Sequence, residues 1–226
     1  MGKIILVNLK MFLNSKEEVC EYQKKISKYK SKFIVFPQNI YLEKFIKNDF
    51  IVGSQNISDK ENGPYTGEVS AKSIKDLGAQ YTLIGHYEVK QKNKEENDLI
   101  KEKVKQALKN NLKVILCIGE NIEDKNKGKT KEVIENQLRK IKPNENVIVS
   151  YEPTYSINSN VNPTNEEIIN VIKLIKNLGY RQVLYGGNVN TDNIKNLNNI
   201  DIIDGFLIGS DALKSSNLIK IIEVVK

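Results

Sequence analysis

Short apolar runs recur along this chain, each followed by a longer stretch with helical spacing. The runs are 3–8, Phe33-Ile34-Val35-Phe36, Phe50-Ile51-Val52-Gly53, Tyr81-Thr82-Leu83-Ile84, 113–118, 147–151, 182–185 and 205–208. They are rich in β-branched residues and apolar on both parities, the pattern of parallel strands covered on both faces. Between them lie helical patterns, the first opening at 14–15 and the others at 41–47, 70–77, 94–110, 132–140, 165–178, 192–197 and 211–225. Asn14 or Ser15 caps the first, with Glu17 and Glu18 in its first turn, and Thr164-Asn165-Glu166-Glu167 opens the sixth. Gly179 closes that sixth helix. Eight alternating βα units predict an α/β fold of the closed (β/α)₈ barrel type, with an open doubly wound sheet as the alternative. No composition shift or Pro/Gly/Ser-rich linker interrupts 1–226, so one domain is expected.

In such a barrel the carboxyl ends of the strands meet on one face. The polar residues there are Asn8 and Lys10 after the first strand, His86 after the fourth and Glu152 after the sixth. Gly186-Gly187-Asn188 follows the seventh and Gly209-Ser210 the eighth. Glu152 is the focus. It stands between the apolar run Val147-Ile148-Val149 and the polar loop Thr154-Tyr155-Ser156-Ile157-Asn158-Ser159-Asn160. Glu is rarely placed so near a core without a reason. Pro153 stiffens the exit, as the hinge of a lid would. A lone His is more often a packed residue than a catalyst, but His86 follows Gly85 and precedes a short polar helix, whose amino end favours a neutral imidazole. The glycines of these last two turns let backbone N–H groups approach an anion. A base, an electrophile, a cation and an anion cradle suit proton abstraction beside a carbonyl in a small phosphorylated substrate.

Composition narrows the remaining classes. The 226 residues, 39% hydrophobic and 28% charged, read as a globular protein, able to bury roughly 70% of its unfolded surface. No apolar run approaches the ~18 residues of a membrane span. Cys20 and Cys117 imply no disulfide framework, and a cytoplasmic location follows. The net charge of +7 raises nucleic-acid binding. However, Arg139 and Arg181 are the only Arg, and the Lys interleave with Glu on helical faces, so no nucleic-acid partner is expected. A single His without neighbouring Cys argues against a metal site. Gly128-Lys129-Thr130 resembles the tail of a P-loop, but Glu123 stands where its first Gly belongs.

Seven stretches in order resemble the triosephosphate isomerase family. They are Asn8-Leu9-Lys10, Asn62-Gly63-Pro64-Tyr65-Thr66-Gly67-Glu68-Val69-Ser70, Gly85-His86-Tyr87-Glu88, Cys117-Ile118-Gly119-Glu120, Tyr151-Glu152-Pro153, Tyr185-Gly186-Gly187-Asn188-Val189 and Asp204-Gly205-Phe206-Leu207-Ile208-Gly209. The resemblance implies an isomerase of glycolysis and gluconeogenesis that interconverts dihydroxyacetone phosphate and D-glyceraldehyde 3-phosphate. It implies Glu152 as the proton-shuttling base, neutral His86 polarising the carbonyl and Lys10 stabilising the enediolate. This family is itself a standard worked example of those two roles, of Glu and neutral His, and of a closing loop. Asn8 would sit beside Lys10, Glu88 would support Lys10, and backbone N–H groups of Asn158, Asn188, Gly209 and Ser210 would hold the phosphate. No cofactor is implied. A homodimer is, with the loop around Thr66 reaching into the partner's site. The family commonly reads Asn-Trp-Lys at the first strand and Gly-His-Ser-Glu-Arg-Arg at the fourth; here Leu9, Tyr87, Val89 and Lys90 depart from it. The lid reads Asn158-Ser159-Asn160 for Gly-Thr-Gly, Tyr155 replaces a Trp, and Asn188 replaces a Ser. The alternative is an altered or non-catalytic barrel of the same family that binds another small phosphorylated sugar.

Overall fold

The computed structural model describes residues 2–157, 159 and 161–225. Eight strands, β1 (Ile4–Asn8), β2 (Ile34–Phe36), β3 (Ile51–Ser54), β4 (Tyr81–Ile84), β5 (Lys113–Ile118), β6 (Val147–Tyr151), β7 (Val183–Tyr185) and β8 (Gly205–Ile208), close into one parallel barrel in chain order. The ring is sealed where Ile4 to Val7 of β1 pair with Gly205 to Ile208 of β8. A Cβ on Gly205 would lie 2.2 Å from the Ile4 carbonyl oxygen, so only glycine fits at that seam.

The two-sided apolar strands are explained by two cores. One parity fills the barrel: Leu6, Ile34, Phe36, Leu83, Ile115, Ile148, Leu184 and Leu207. The other packs against the helices, with Val7, Val35, Val114, Val149 and Phe206 among its members. Along the interior parity the chemistry changes from apolar to polar toward the carboxyl end. Leu6 is followed two residues on by Asn8, then by Lys10; Ile148 by Ser150, then by Glu152. Because successive side chains alternate faces, this delivers the polar residues to one rim.

Ten α-helices lie among the described residues: α1 (Lys16–Ile26), α2 (Leu42–Ile46), α3 (Ala71–Asp76), α4 (Tyr87–Asn93), α5 (Asn97–Lys109), α6 (Ile122–Asn126), α7 (Thr130–Leu138), α8 (Asn165–Asn177), α9 (Ile194–Asn198) and α10 (Ser215–Val224). Ser15 with Glu18, and Thr164 with Glu167, form reciprocal capping boxes on α1 and α8. Three expectations are corrected. The charged stretch expected as one helix over 94–110 begins only at Asn97, because α4 ends at Lys94 in the left-handed region (φ 52°). The last helical stretch splits into a 3₁₀ turn, Ser210–Leu213, and α10. The helix expected from Asp192 starts at Ile194, because the Asn190 side chain accepts from the Asp192 and Asn193 amides and holds a turn there.

Leu83 is fully buried inside the barrel, whereas Leu77 is 43% exposed. Leu83→Ala should lower the unfolding free energy by about 2–5 kcal/mol in urea titrations, and Leu77→Ala by under about 0.5 kcal/mol. Equal losses would mean that the barrel interior is not close-packed.

Candidate active site

Lys10 ends the inward series of β1 with its backbone in the left-handed region (φ 50°). A non-glycine residue held there carries roughly 1 kcal/mol of strain. Two side chains fix it: the Lys10 amide donates to Asn8 Oδ1 at 2.9 Å, and Gln55 Nε2 donates to the Lys10 carbonyl at 2.7 Å. The ammonium then lies 2.7 Å from Glu88 Oε1. Glu88 is 42% exposed, so this pair contributes little stability. The Glu88 carboxyl lies below its ordinary range: burial raises it, but the Lys10 hydrogen bond and charge, His86 and Tyr87 outweigh that.

His86 is the residue at which β4 passes into α4, and its carbonyl accepts from the amides of Val89 and Lys90. Its ring reaches three partners. Nε2 lies 3.6 Å from Glu152 Oε2 and 3.4 Å from Asn8 Nδ2, and Nδ1 lies 3.8 Å from Glu88 Oε2.

Glu152 is 2% exposed, and neither carboxylate oxygen has a hydrogen-bond partner among the described residues. The backbone passes it closely on two sides. A Cβ on Gly119 would meet the Glu152 carbonyl oxygen at 1.9 Å, and one on Gly186 would meet its Cγ at 2.8 Å. Burial pushes the carboxyl above its ordinary range; His86 opposes this most, followed by Cys117, Ser150 and Lys10. The buried Cys117 thiol is in turn pushed well up by burial and by Glu152. A carboxyl that is costly to ionise and faces a histidine is the kind of group that functional sites hold.

A cavity of about 420 Å³ opens at this rim, lined by Asn8, Lys10, His86, Asn188, Gly209 and Ser210 among others. Gly209 runs against Lys10: a Cβ there would lie 3.3 Å from Lys10 Cε. The Asn188 side chain donates to the Ser159 carbonyl at 3.3 Å, tying the loop after β7 to the loop after β6. Glu152 lines a smaller recess of about 190 Å³ with Tyr87, Lys90 and Cys117, and its carboxylate lies 3.6 Å from His86, which lines the main cavity. Lys90 is half-buried there, and that desolvation lowers its pKa. Glu88 stays outside the main cavity but is bonded to Lys10. Thr66 lies on an exposed loop and lines none of this cavity. Asn158 lies outside the described residues.

The root of the loop after β6 is pinned. The Thr154 amide and hydroxyl donate to the Glu120 carbonyl at 2.9 and 3.1 Å, and Tyr151 Oη donates to its carboxylate at 3.0 Å. Lys125 sits 4.7 Å from the Tyr155 ring centroid and 3.1 Å from Glu167. Several residues of the site were not singled out from sequence. Ser150 and Cys117 were reachable by strand parity, since both share the inward face with Glu152. Asp211 and Lys214 also line the cavity, and Asp211 accepts from the Thr191 amide at 2.9 Å and from Asn217 at 2.8 Å. No local pattern announces that brace. Among the described residues no group of three or more His, Cys, Asp or Glu could hold a metal ion, and no helix is long and apolar enough to cross a membrane.

Residues 3–225 match the family model described as Triosephosphate isomerase. The chain is similar to the triosephosphate isomerase of Campylobacter jejuni subsp. doylei, 41% identical over 192 residues, or 84% of each chain. That of Mycoplasmopsis agalactiae is 40% identical over 178 residues, 76% of this chain and 69% of its own. That of Yarrowia lipolytica is 37% identical over 202 residues, 82% of each.

The raised Glu152 pKa has a stability consequence of definite sign. The folded state holds this proton more tightly than the unfolded chain, so stability falls as pH rises from the ordinary Glu range of about 4.3 to the folded pKa, and the loss is complete above it. Glu152→Gln should therefore raise the Tm at pH 7 by at least about 2 °C, with the gain gone below about pH 4. A variant that melts no higher at pH 7 would mean that the carboxylate is effectively solvated.

Proposed function

The chain belongs to the triosephosphate isomerase family, and we propose that Glu152, His86 and Lys10 carry out its chemistry. The reaction is an intramolecular aldose–ketose isomerisation, interconverting dihydroxyacetone phosphate and D-glyceraldehyde 3-phosphate. The substrate's phosphate lies along the backbone of Asn188, Gly209 and Ser210, which line the main cavity beside Lys10. Asn158 remains an expected fourth donor.

With the phosphate so placed, the carbonyl carbon and its neighbour fall between Lys10 and His86. Glu152 takes a proton from the carbon beside the carbonyl. The electron pair moves onto the carbonyl oxygen, where His86 donates a hydrogen bond and Lys10 compensates the developing charge. Return of the proton to the other carbon completes the isomerisation, with His86 exchanging the hydroxyl protons. The observation that carries this reading is the buried, unpartnered Glu152 carboxylate 3.6 Å from the only histidine of the chain. A raised carboxyl pKa brings the base nearer to working pH. The loop after β6 closes over the bound substrate and excludes water, with its pinned root as the hinge.

We also propose a homodimer. Met11, Phe12, Ile40 and Tyr65 are exposed, and they follow the adjacent strands β1, β2 and β3. This row of apolar side chains fits a self-complementary patch, with Thr66 next to Tyr65 at its loop tip. Two free cysteines, Cys20 and Cys117, fit a cytoplasmic protein.

Purified protein should isomerise glyceraldehyde 3-phosphate. Glu152→Asp, which retracts the carboxylate by about an ångström, should lower turnover about 100-fold in a folded protein. Unchanged turnover would remove Glu152 as the base. Faster turnover of another phosphorylated aldose in a substrate panel would favour the altered-site reading, which the bulky Tyr87 at the rim motivates. In sedimentation the species should have twice the 25.8 kDa mass, and Tyr65→Asp should shift it toward monomer; a monomeric parent would exclude the dimer.

A further inference from the structure

Tyr87 occupies the first position of α4, immediately after His86. The chemistry described above does not use it. It nevertheless touches three members of the site. Its hydroxyl donates to Glu88 Oε1 at 3.1 Å, the same oxygen that accepts from Lys10 Nζ at 2.7 Å. Its ring centroid lies 5.7 Å from Lys10 Nζ. The same ring lies 5.0 Å from the His86 ring, tilted by 43°.

These contacts answer a mechanical problem. Lys10 is a long side chain with four rotatable bonds, and its ion-pair partner is 42% exposed. A pair of that kind is screened by water and holds direction poorly. A tyrosine has only two side-chain torsions, and here it contacts both ends of the pair at once. The hydroxyl holds the carboxylate and the ring face receives the ammonium. Tyr87 also lines the recess that contains Glu152, yet its hydroxyl is turned to Glu88. Of the two carboxylates near it, it satisfies the one that aims Lys10 and leaves the base unpartnered.

A second effect follows when an anionic substrate enters. Lys10 must then share its charge with the substrate, and the Glu88 carboxylate would otherwise face that anion with one donor fewer. The Tyr87 hydroxyl on the same Oε1 is a donor that does not depend on Lys10.

We propose that Tyr87 is a positioning residue of the isomerisation site, fixing the direction of the Lys10 ammonium by holding Glu88 through its hydroxyl and Lys10 through its ring. The inference rests on the role given to Lys10 above.

The test is a double-mutant cycle of Tyr87→Phe and Glu88→Gln, read at a temperature where all four proteins are folded by circular dichroism. Tyr87→Phe should lower kcat/KM for glyceraldehyde 3-phosphate by about 3–10-fold, with KM rising. Tyr87→Leu, which removes the ring as well, should lose more. In the Glu88→Gln background Tyr87→Phe should cost nothing further, because the hydroxyl acts through Glu88. A structural role would instead multiply the two losses, and that result, or a Tyr87→Phe enzyme equal to the parent, overturns the proposal. Calorimetric binding of inorganic phosphate reads the same cycle without turnover. A parent that binds phosphate but isomerises no triose phosphate would reject the isomerase reading. The same non-additive pattern in the phosphate affinities would then still support the placement of Lys10 by Tyr87, and additive ones would reject it.

Discussion

Closure of the sheet is the constraint on which everything else rests. Eight short parallel strands leave no edge only if β8 meets β1, and the fit at Gly205 against Ile4 is what permits that approach. The closed ring turns sequence parity into geometry. Residues that are distant in the chain but share the inward face, such as Lys10 and Glu152, arrive at one rim with no loop needed to carry them. The adjacency of β1 and β8 also sets Gly209 against Lys10, so the turn after β8 and the Lys10 cation are neighbours by construction.

Against that frame the rim accepts an electrostatic cost. A carboxylate buried without a hydrogen-bond partner destabilises the fold whenever it is ionised, and its surroundings are arranged to permit this rather than to relieve it. Gly119 brings backbone against the Glu152 carbonyl and Gly186 against its Cγ, and Cys117 and Ser150 offset the burial of the carboxyl only in part. His86, 3.6 Å away, is shared with Asn8 and Glu88. The packed interior beneath it consists of apolar side chains, most of them aliphatic. Local strain and unmet bonding of this kind are characteristic of groups kept for chemistry.

Much of this was legible in the sequence. All eight strands, their parallel order and the rim residues Asn8, Lys10, His86 and Glu152 follow from apolar runs ending in polar residues. The pattern carries little beyond the backbone scale. The break between α4 and α5 depends on Lys94 adopting a left-handed backbone, which no composition rule requires. The turn before α9 depends on one Asn side chain. At the site, sequence placed Glu88 near Lys10, but not the Tyr87 hydroxyl on the same oxygen. Side-chain direction at a helix start is decided by neighbours that come from other strands.

The basic surplus also has a physical account that the count of +7 alone does not supply. Several lysines brace the loops that shape the rim. Lys103 is buried beside Glu95 and donates to Asn56 Oδ1 at 3.0 Å, anchoring the start of the long loop after β3 to α5. Lys125 joins the Tyr155 ring to Glu167, linking the root of the loop after β6 to α8. Others, such as Lys25 with Glu21 and Lys127 with Glu123, form one-turn helix pairs that hold little energy. Lysine serves these places because a compact ammonium on a flexible stem can reach a carboxylate, an amide oxygen and a ring face from one backbone position. Departures from the family pattern are absorbed by the same means. Tyr155 keeps a cation against its face, Leu9 is sealed in the core at 1% exposure, and Asn188 contributes a side-chain bond to the neighbouring loop. The net charge of +7 favours the approach of an anionic substrate.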